Sequence, residues 1–399
     1  MALRLRGENM IRLLSIIGLC VTMPYCLAAA EPMFTVERTV LFESSGPYEF
    51  SQCRGTTLPD GRVLLTAQEI ERTGSHGYHD VFQFESRDAG RTWSKPLRIE
   101  PLRRGEIEGS SDQRVVGDLC PRYHAASGKV LGTGKTFTFR GGTKEDRSAE
   151  QVSYAVYDPK TDVWSGLKIA KMPSSDHVAK PILQPNAGCN DRVDLPNGDI
   201  LLPIRYCKDP KKRCYTTIVA RCRFDGETLT YVEHGTELSR EKNRGLYEPS
   251  LHGLGGKFYL TMRADDTAFV SVSSDGLNYS EPKEWTYDNG QVLGSYNTQQ
   301  HWASHGGKLY LVYTRRGAGN DHIFRHRAPL FIAEVDTERL CVLRAMEQIA
   351  LPHNHADIGN FDVIPVSDKE TWIVAAESLV NGKRKGENNS VLAARIRWK

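Results

Sequence analysis

A short polar turn followed by an apolar strand recurs along this chain of 399 residues. The copies are residues 58–61 before 63–65, 127–128 before 130–131, 195–198 before 200–202, 255–256 before 258–260, 306–307 before 309–311, and 367–369 before 372–374. They lie roughly 50 to 70 residues apart, a period typical of repeat architectures. The pattern predicts six structural units.

A second turn falls between consecutive copies, most completely at residues 86–93, which read Ser-Arg-Asp-Ala-Gly-Arg-Thr-Trp. Asp-Gly and Asn-Gly turns between β-branched and aromatic runs indicate β-hairpins, so each unit contains two hairpins and therefore four strands. Four-stranded units repeated around an axis are the blades of a propeller. We expect an all-β fold, a six-bladed β-propeller of four-stranded antiparallel blades.

The first thirty residues have the pattern of a signal peptide rather than of a folded element. Arg4 and Arg6 precede an apolar run, and Ala28 and Ala30 provide the small side chains of a cleavage site. We expect residues 1–30 to be removed and residues 31–399 to form a single domain, exported to the periplasm or the extracellular space. Later stretches fall short of the ~18 apolar residues of a membrane span, so the mature chain should have no transmembrane segment.

The net charge and the cysteine spacing limit the kinds of partner and ligand that we expect this chain to bind. The net charge of +3 is nearly balanced and lacks a basic run, which argues against nucleic acid. Seven of the nine cysteines follow residue 30, and an oxidising compartment would allow Cys207 and Cys214 to close a short loop by a disulfide. None has the CxxC spacing of a zinc site, and we expect neither a metal nor a cofactor.

Residues 86–93 resemble the Asp-box, or BNR repeat, of the sialidase (neuraminidase) superfamily. In that motif Ser and Asp side chains bond the backbone of the turn, so its role is structural. The resemblance implies a six-bladed propeller that acts on a carbohydrate with a carboxylate, held by three arginines from separate blades. A guanidinium suits this task because its planar donor fork matches a carboxylate and keeps its charge.

Several residues match the family's binding pattern. Glu248, followed fifteen residues later by Arg263 at a strand end, is similar to the family's Glu…Arg pair, in which the Glu activates a nucleophile. Arg327 is similar to the third arginine of the triad, and Arg54 occupies the position of the first. Arg192 is a further candidate for the pocket wall.

The acid/base and the nucleophile depart from the family's pattern. The family's acid/base is an Asp in the loop after the first copy, where Asp80 lies a few residues late, so His76 or His79 is the alternative. The family's nucleophile is a Tyr about thirty residues after the third arginine, where this chain has Asn360 and no tyrosine. Asn360 is then a candidate for sugar binding, and Tyr296 a candidate substitute nucleophile.

Three functions are compatible with these residues. The first is an exo-acting, sialidase-like glycoside hydrolase that removes a terminal acidic sugar. The second is a lyase acting next to a uronic acid, in which the arginines neutralise the carboxylate and His or Tyr removes the adjacent proton. The third is a propeller that binds an acidic carbohydrate without cleaving it.

Overall fold

Six antiparallel β-sheets follow one another along the chain and confirm the six-bladed β-propeller. The computed structural model describes residues 33–44, 47–72, 77–142, 147–148, 150–209, 211–379 and 389–399. Pro32–Lys399 forms one compact unit. The expected signal peptide, residues 1–30, and the candidate acid His76 lie outside the described residues.

The first described strand is β1 (Phe34–Ser44). Blade 1 contains β2 (Tyr48–Thr57), β3 (Val63–Glu71), β4 (Tyr78–Ser86) and β5 (Leu97–Arg98). Blade 2 contains β6 (Gly105–Glu106), β7 (Gln113–His124), β8 (Lys129–Phe139), β9 (Arg147–Ser148), β10 (Val152–Asp158), β11 (Val163–Trp164) and β12 (Lys168–Ile169). Blade 3 contains β13 (Leu183–Asn186), β14 (Val193–Asp194), β15 (Asp199–Cys207), β16 (Tyr215–Phe224), β17 (Leu229–His234) and β18 (Leu238–Ser239).

Blade 4 contains β19 (Tyr247–Leu254), β20 (Lys257–Arg263), β21 (Ala268–Ser273) and β22 (Lys283–Glu284). Blade 5 contains β23 (His301–His305), β24 (Lys308–Tyr313), β25 (Leu330–Asp336), β26 (Cys341–Val342) and β27 (Gln348–Leu351). Blade 6 contains β28 (Phe361–Ser367), β29 (Glu370–Ala376) and β30 (Asn389–Trp398). The helices in the described part of the chain are short 3₁₀ turns, Glu100–Leu102, Arg140–Gly142, Phe324–His326 and Arg344–Met346, and none is long and apolar enough to cross a membrane.

The two ends of the propeller are joined in blade 6. β1 pairs with β30 along its whole length, from Phe34 opposite Trp398 to Ser44 opposite Asn389. Phe34 is 2% exposed and lies edge-on to Trp398 at 5.3 Å and to Tyr310 of blade 5 at 6.0 Å. The first strand thus supplies the outer edge of the last blade and closes the ring.

The apolar core lies between neighbouring blades. One cluster joins Val63, Leu65 and Phe84 of blade 1 to Trp372 and Val374 of blade 6. Similar clusters join the other neighbouring pairs around the ring. Because each blade is covered on both faces, central strands such as β15 are buried at every position.

The turn at residues 86–93 is fixed by its own side chains. Ser86 Oγ accepts from the Gly90 N–H at 2.7 Å, and the Asp88 carboxylate accepts from the Thr92 N–H at 2.9 Å. Gly90 has φ +78°, and a Cβ there would overlap the ring of Trp372 in blade 6. The turn therefore packs one blade against its neighbour, as expected for a structural motif.

The expected loop closure by a disulfide is not present. The seven cysteines of the described residues are free thiols, including Cys207 and Cys214. Cys214 Sγ instead contacts the carbonyl oxygen of Arg240 at 3.4 Å. Backbone pairing between β15 and β16, which ends at Cys207 opposite Tyr215, already joins the two sides of that loop.

Closure of the ring should contribute strongly to stability. We expect Phe34→Ala to lower the free energy of unfolding by about 3–5 kcal/mol, because it leaves a cavity between blades 5 and 6. Val40→Ala is the matched control on the same strand, since Val40 is 53% exposed and should change stability by less than about 0.5 kcal/mol. Urea unfolding measures both, and equal losses would contradict this account of closure.

Candidate active site

A cavity of about 200 Å³ lies on the propeller axis and receives residues from all six blades. Its lining comprises Ser51, Gln52, Ile70, Tyr78, Asp118, Lys135, Cys189, Arg244, Glu248, Arg263, Phe324, Arg325, Arg327, Asp357, Asn360 and Ser378. Polar and charged side chains predominate. Convergence of such groups in a concave site is typical of a ligand-binding centre.

Three cavity residues occupy bulges in the innermost strands. Gln52, Asp118 and Glu248 have φ of 52°, 55° and 44°, and each lies where the ladder of its strand shifts register. A bulge interrupts the alternation of side chains and redirects one of them. Left-handed backbone at non-glycine residues is costly and concentrates at functional sites. The bulges therefore direct one polar side chain from each of three blades into the cavity.

Glu248 and Arg263 form an ion pair within the cavity wall. Arg263 also donates to Asn297 Oδ1 at 2.5 Å and stacks over the ring of Tyr247 at 4.7 Å. Burial alone would raise the pKa of Glu248, but the Arg263 guanidinium lowers it to about 2. Glu248 is thus a carboxylate at neutral pH and cannot serve as a proton donor there.

Arg327 and Asp357 form a second pair in the cavity, in which the pKa of the carboxyl group is raised rather than lowered. Arg327 donates to the carbonyl oxygen of Asn297 at 3.0 Å and to Thr298 Oγ1 at 3.2 Å, whereas its guanidinium lies 3.6 Å from the Asp357 carboxylate. Burial raises the pKa of Asp357 even though Arg327 acts against it. Two carboxyl groups of one cavity therefore have pKa values displaced in opposite directions, a pattern typical of acid/base sites.

Arg325 is a cation of the cavity wall that has no direct partner among the described side chains, although Asp357 is close enough to interact with its charge. It has neither a hydrogen bond nor an ion pair with a described residue, and its guanidinium lies 4.7 Å from the ring of Phe324. Burial and the nearby Arg327, Arg263 and Arg244 lower the pKa of Arg325. A partly buried cation surrounded by cations is unfavourable unless an anion joins it.

A third group combines Tyr78, Asp118 and Lys135. The hydroxyl of Tyr78 donates to Asp118 Oδ1 at 3.2 Å, and Lys135 forms an ion pair with the same carboxylate. Burial, followed by the charge of Asp118, raises the pKa of Tyr78 well above its usual range. The phenol is therefore neutral at neutral pH, and a carboxylate held by a lysine is in place to accept its proton.

The floor of the cavity is a buried layer of charged groups. Arg122 donates to both oxygens of Asp362, at 3.0 and 2.5 Å, and forms an ion pair with Asp191. His301 Nδ1 lies 2.7 Å from Asp191 Oδ2. Arg54, which is fully buried, donates to the carbonyl oxygen of Phe361 at 2.7 Å.

This floor, here called the axial network, takes one residue from each blade. Its members are Arg54, Arg122, Asp191, Ser250, His301 and Asp362. Along β19, Glu248 faces the cavity, Ser250 belongs to the network, and Leu251 lines a second cavity of about 210 Å³. The network therefore separates two cavities on the axis.

The overall arrangement was compared with known proteins. No family model matches the chain, and no curated protein matches it. Among solved structures, a protein of unknown function from Dyadobacter fermentans is 12% identical at TM-score 0.62, over 91% of this chain and 99% of that one. Trypanosoma rangeli sialidase is 15% identical at TM-score 0.62, over 90% of this chain and 59% of its own length.

This chain has the sialidase fold. Phage phi92 endosialidase shares it too, with 13% identity, a TM-score of 0.58, and coverage of 92% of this chain and 70% of that one. The chain spans about three fifths of the Trypanosoma rangeli sialidase. At these identities the likeness establishes the fold, and the chemistry must be argued from the cavity itself.

The structure brings together some of the residues expected from sequence and separates others. Glu248, Arg263, Arg327 and Asn360 line the cavity. Arg54 does not line it, because the bulge at Gln52 turns its side chain into the axial network, where Gln299 Oε1 accepts from it at 2.8 Å.

Three further candidates lie away from the cavity. Arg192 lines the second cavity, where Asp194 Oδ1 accepts from its Nε at 2.8 Å. Asp80 accepts from the backbone N–H of Arg104 at 2.9 Å and faces Arg98 at 3.6 Å. The hydroxyl of Tyr296 lies 2.8 Å from His326 Nδ1.

Several residues that line the cavity are not predicted by the sequence pattern. Tyr78, Asp118 and Lys135 lie in strands whose alternation gives no sign of a site. Asp118 did carry one signal, since it is an acid inside the buried run of β7, where an unpaired charge would be costly. Arg325 belongs to the arginine-rich stretch around Arg327, but its orientation depends on its own left-handed backbone conformation, with φ 53°.

Breaking the axial network should destabilise the fold. We expect Asp362→Ala to lower the free energy of unfolding by about 3–5 kcal/mol, because Arg122 and Arg54 lose a buried counter-charge. Glu338→Ala removes the exposed partner of Lys257 and should cost at most about 1 kcal/mol. Urea unfolding compares the two, and similar small losses would show that the network is dispensable.

The Glu248–Arg263 pair predicts a pH dependence. The pKa of Glu248 in the folded state, about 2, lies below its ordinary value of 4.5, so its stabilisation is complete above about pH 4.5 and is lost as the pH falls toward 2. The stability difference between the wild type and Glu248→Gln should shrink over that interval. Urea unfolding at a series of pH values measures it, and a constant difference would refute the assignment.

Proposed function

We propose that this chain is an exo-acting glycoside hydrolase that removes a terminal acidic sugar, whose carboxylate binds Arg263, Arg325 and Arg327. The observation that carries the proposal is the position of Arg325 in the axial cavity beside other cations, without an ion pair or hydrogen bond to a described residue. The cavity is lined by five cationic side chains, Lys135, Arg244, Arg263, Arg325 and Arg327, and by three carboxyl groups, those of Asp118, Glu248 and Asp357. An anionic ligand would supply the missing counter-charge.

The size of the cavity supports action at a chain end. About 200 Å³ is below the roughly 300–1,000 Å³ usual for pockets that hold larger ligands. It therefore suits a single sugar ring rather than a run of sugars. The neighbours from Trypanosoma rangeli include one in complex with sialic acid, an acidic monosaccharide of the proposed class.

The reacting pair in this proposal is Tyr78 and Asp118. Tyr78 Oη bonds the anomeric carbon as the bond to the leaving oxygen breaks, and its proton passes to Asp118. Lys135 forms an ion pair with Asp118, and a neutral nucleophile avoids the repulsion that a carboxylate would meet beside an anionic sugar. Water then hydrolyses the glycosyl–tyrosine bond.

Asp357 is the candidate acid for the leaving oxygen. It lines the cavity, and its raised pKa favours the protonated form that an acid requires. Glu248, with its pKa lowered to about 2, instead holds Arg263 in place. Asp80 and Tyr296, expected from sequence in the acid and nucleophile roles, are replaced here by Asp357 and Tyr78.

The first test is an assay of the purified protein on sialosides and on uronate-containing glycans. We expect release of a free acidic sugar. An unsaturated product detected by its ultraviolet absorbance would indicate a lyase instead. Saturable binding without turnover would indicate a carbohydrate-binding propeller.

Variants test the individual roles. We expect Tyr78→Phe to lower kcat by at least about 100-fold with little change in KM, because the nucleophile is lost. Arg325→Ala should lower kcat/KM by about 10- to 100-fold, since a hydrogen bond to a charged group is removed. Arg316→Ala is the matched control from the same loop, because Arg316 is exposed and lies over Tyr296 outside the cavity. Full activity of Tyr78→Phe would exclude the proposed nucleophile.

A further inference from the structure

Three histidines from two segments of the chain meet beside the cavity. His322 lies between β24 and β25, and His353 and His355 lie between β27 and β28. One ring nitrogen from each lies within 4.8 Å of the others, and His355 Nδ1 is 3.2 Å from His322 Nε2. The ring centroids are 5.2 to 5.4 Å apart. The group is here called the histidine cluster.

The spacing of the histidine cluster suits a tetrahedral metal. Zinc–nitrogen bonds of about 2.0–2.1 Å place two ligand nitrogens roughly 3.3–3.4 Å apart, close to the 3.2 Å between His355 and His322. The third nitrogen lies within 4.8 Å of the other two, so metal binding requires a side-chain rotation that brings it closer. Three imidazoles without a carboxylate favour zinc, copper or nickel over calcium or magnesium, which require oxygen ligands.

A second observation points to a ligand at the same place. His353 Nδ1 is buried and has no hydrogen-bond partner among the described residues. Buried polar atoms without partners are uncommon in folded proteins, and a bound ion is one of the groups that can complete such an atom. A metal ion bound by the histidine cluster would account for this nitrogen.

We propose that His322, His353 and His355 bind one divalent transition-metal ion of the zinc class. His355 is exposed, so the fourth position of the ion faces solvent and takes a water molecule. The proposal concerns binding alone and does not rest on the proposed hydrolase activity.

The ion would join two segments that carry cavity residues. His322 is three residues before Arg325, and His355 is two residues before Asp357. Backbone bonding already links these segments, since the Ile358 N–H donates to the carbonyl oxygen of Arg327 at 3.0 Å. A metal bridge would fix them further and so hold Arg325 and Asp357 in their cavity positions.

A second cluster, His177, His234 and Glu237, provides an internal control. Nδ1 of His234 already has a partner outside this cluster, Tyr231 Oη at 2.7 Å. The rings of His177 and His234 are stacked face to face at 4.1 Å, so they do not converge on a common point. This geometry makes it the weaker metal site.

The test titrates Zn²⁺ and Co²⁺ into tag-free, chelator-stripped protein. We expect about one ion per chain, with visible absorption of Co²⁺ typical of tetrahedral nitrogen ligands. His355→Ala should weaken binding by at least about tenfold, and His177→Ala should leave it unchanged. Equal affinity for the wild type and His355→Ala, or loss of binding in His177→Ala, would overturn the proposal.

Thermal unfolding separates binding from folding. Zn²⁺ should raise the Tm of the wild type and of His177→Ala, but not that of His355→Ala, because an ion that binds only the folded state stabilises it. Equal Tm values for metal-free wild type and His355→Ala would show that the variant is folded. If His355→Ala does not fold, His322→Ala replaces it, and a Zn²⁺-dependent rise of Tm in that variant overturns the proposal.

Discussion

The axial network is the interaction on which the rest of the molecule depends. Its two arginines, Arg54 and Arg122, and its two aspartates, Asp191 and Asp362, carry equal and opposite charges; Arg54 and Asp362 are fully buried, and Arg122 and Asp191 are partly buried. Buried charges are tolerated when each is paired and hydrogen-bonded, and removal of one partner leaves the other uncompensated. Since each blade supplies one member, the positions of the six inner strands are coupled through the axis.

The network also explains why the cavity above it can hold strained backbone. Gln52 and Glu248 take left-handed conformations two residues before network members on their own strands, Arg54 and Ser250. Such conformations cost free energy of order 1–3 kcal/mol each and persist where the surroundings determine them. At Gln52 and Glu248 the surroundings are the axial network, which holds the inner strands, and the apolar cores between neighbouring blades.

The sequence predicted the fold well because its signal is local. Turn residues such as Asp60-Gly61 and Asn197-Gly198 mark hairpins within a few positions, and repetition of that signal specifies the number of blades. Pairing of β1 with β30 joins residues more than 340 positions apart and has no local signature. The sequence pattern therefore could not predict that the first strand closes the ring.

The cavity was less predictable, since its residues depend on departures from the regular pattern. Glu248 and Arg263, which were predicted from their resemblance to the family's Glu…Arg pair, both line the cavity. Arg54, predicted in the same way, lies in the axial network because of the bulge at Gln52. Tyr78 and Asp118 come from different blades and meet only in the folded chain. No alternation within a single strand encodes such a contact.

Charge balance distinguishes the two sides of the axial network. On the side of the second cavity, Arg192 bonds Asp194 and two backbone carbonyl oxygens, so its donors are satisfied by the protein. On the other side, Arg325 lies near Arg263 and Arg327 without an ion pair to a described residue, although Asp357 is close enough to interact with its charge. The arginines of the cavity that contains Arg325 are therefore less fully paired by the protein than those of the second cavity. Negative charge that joined these guanidinium groups would relieve their mutual repulsion, which is the physical basis for proposing an acidic sugar as the ligand.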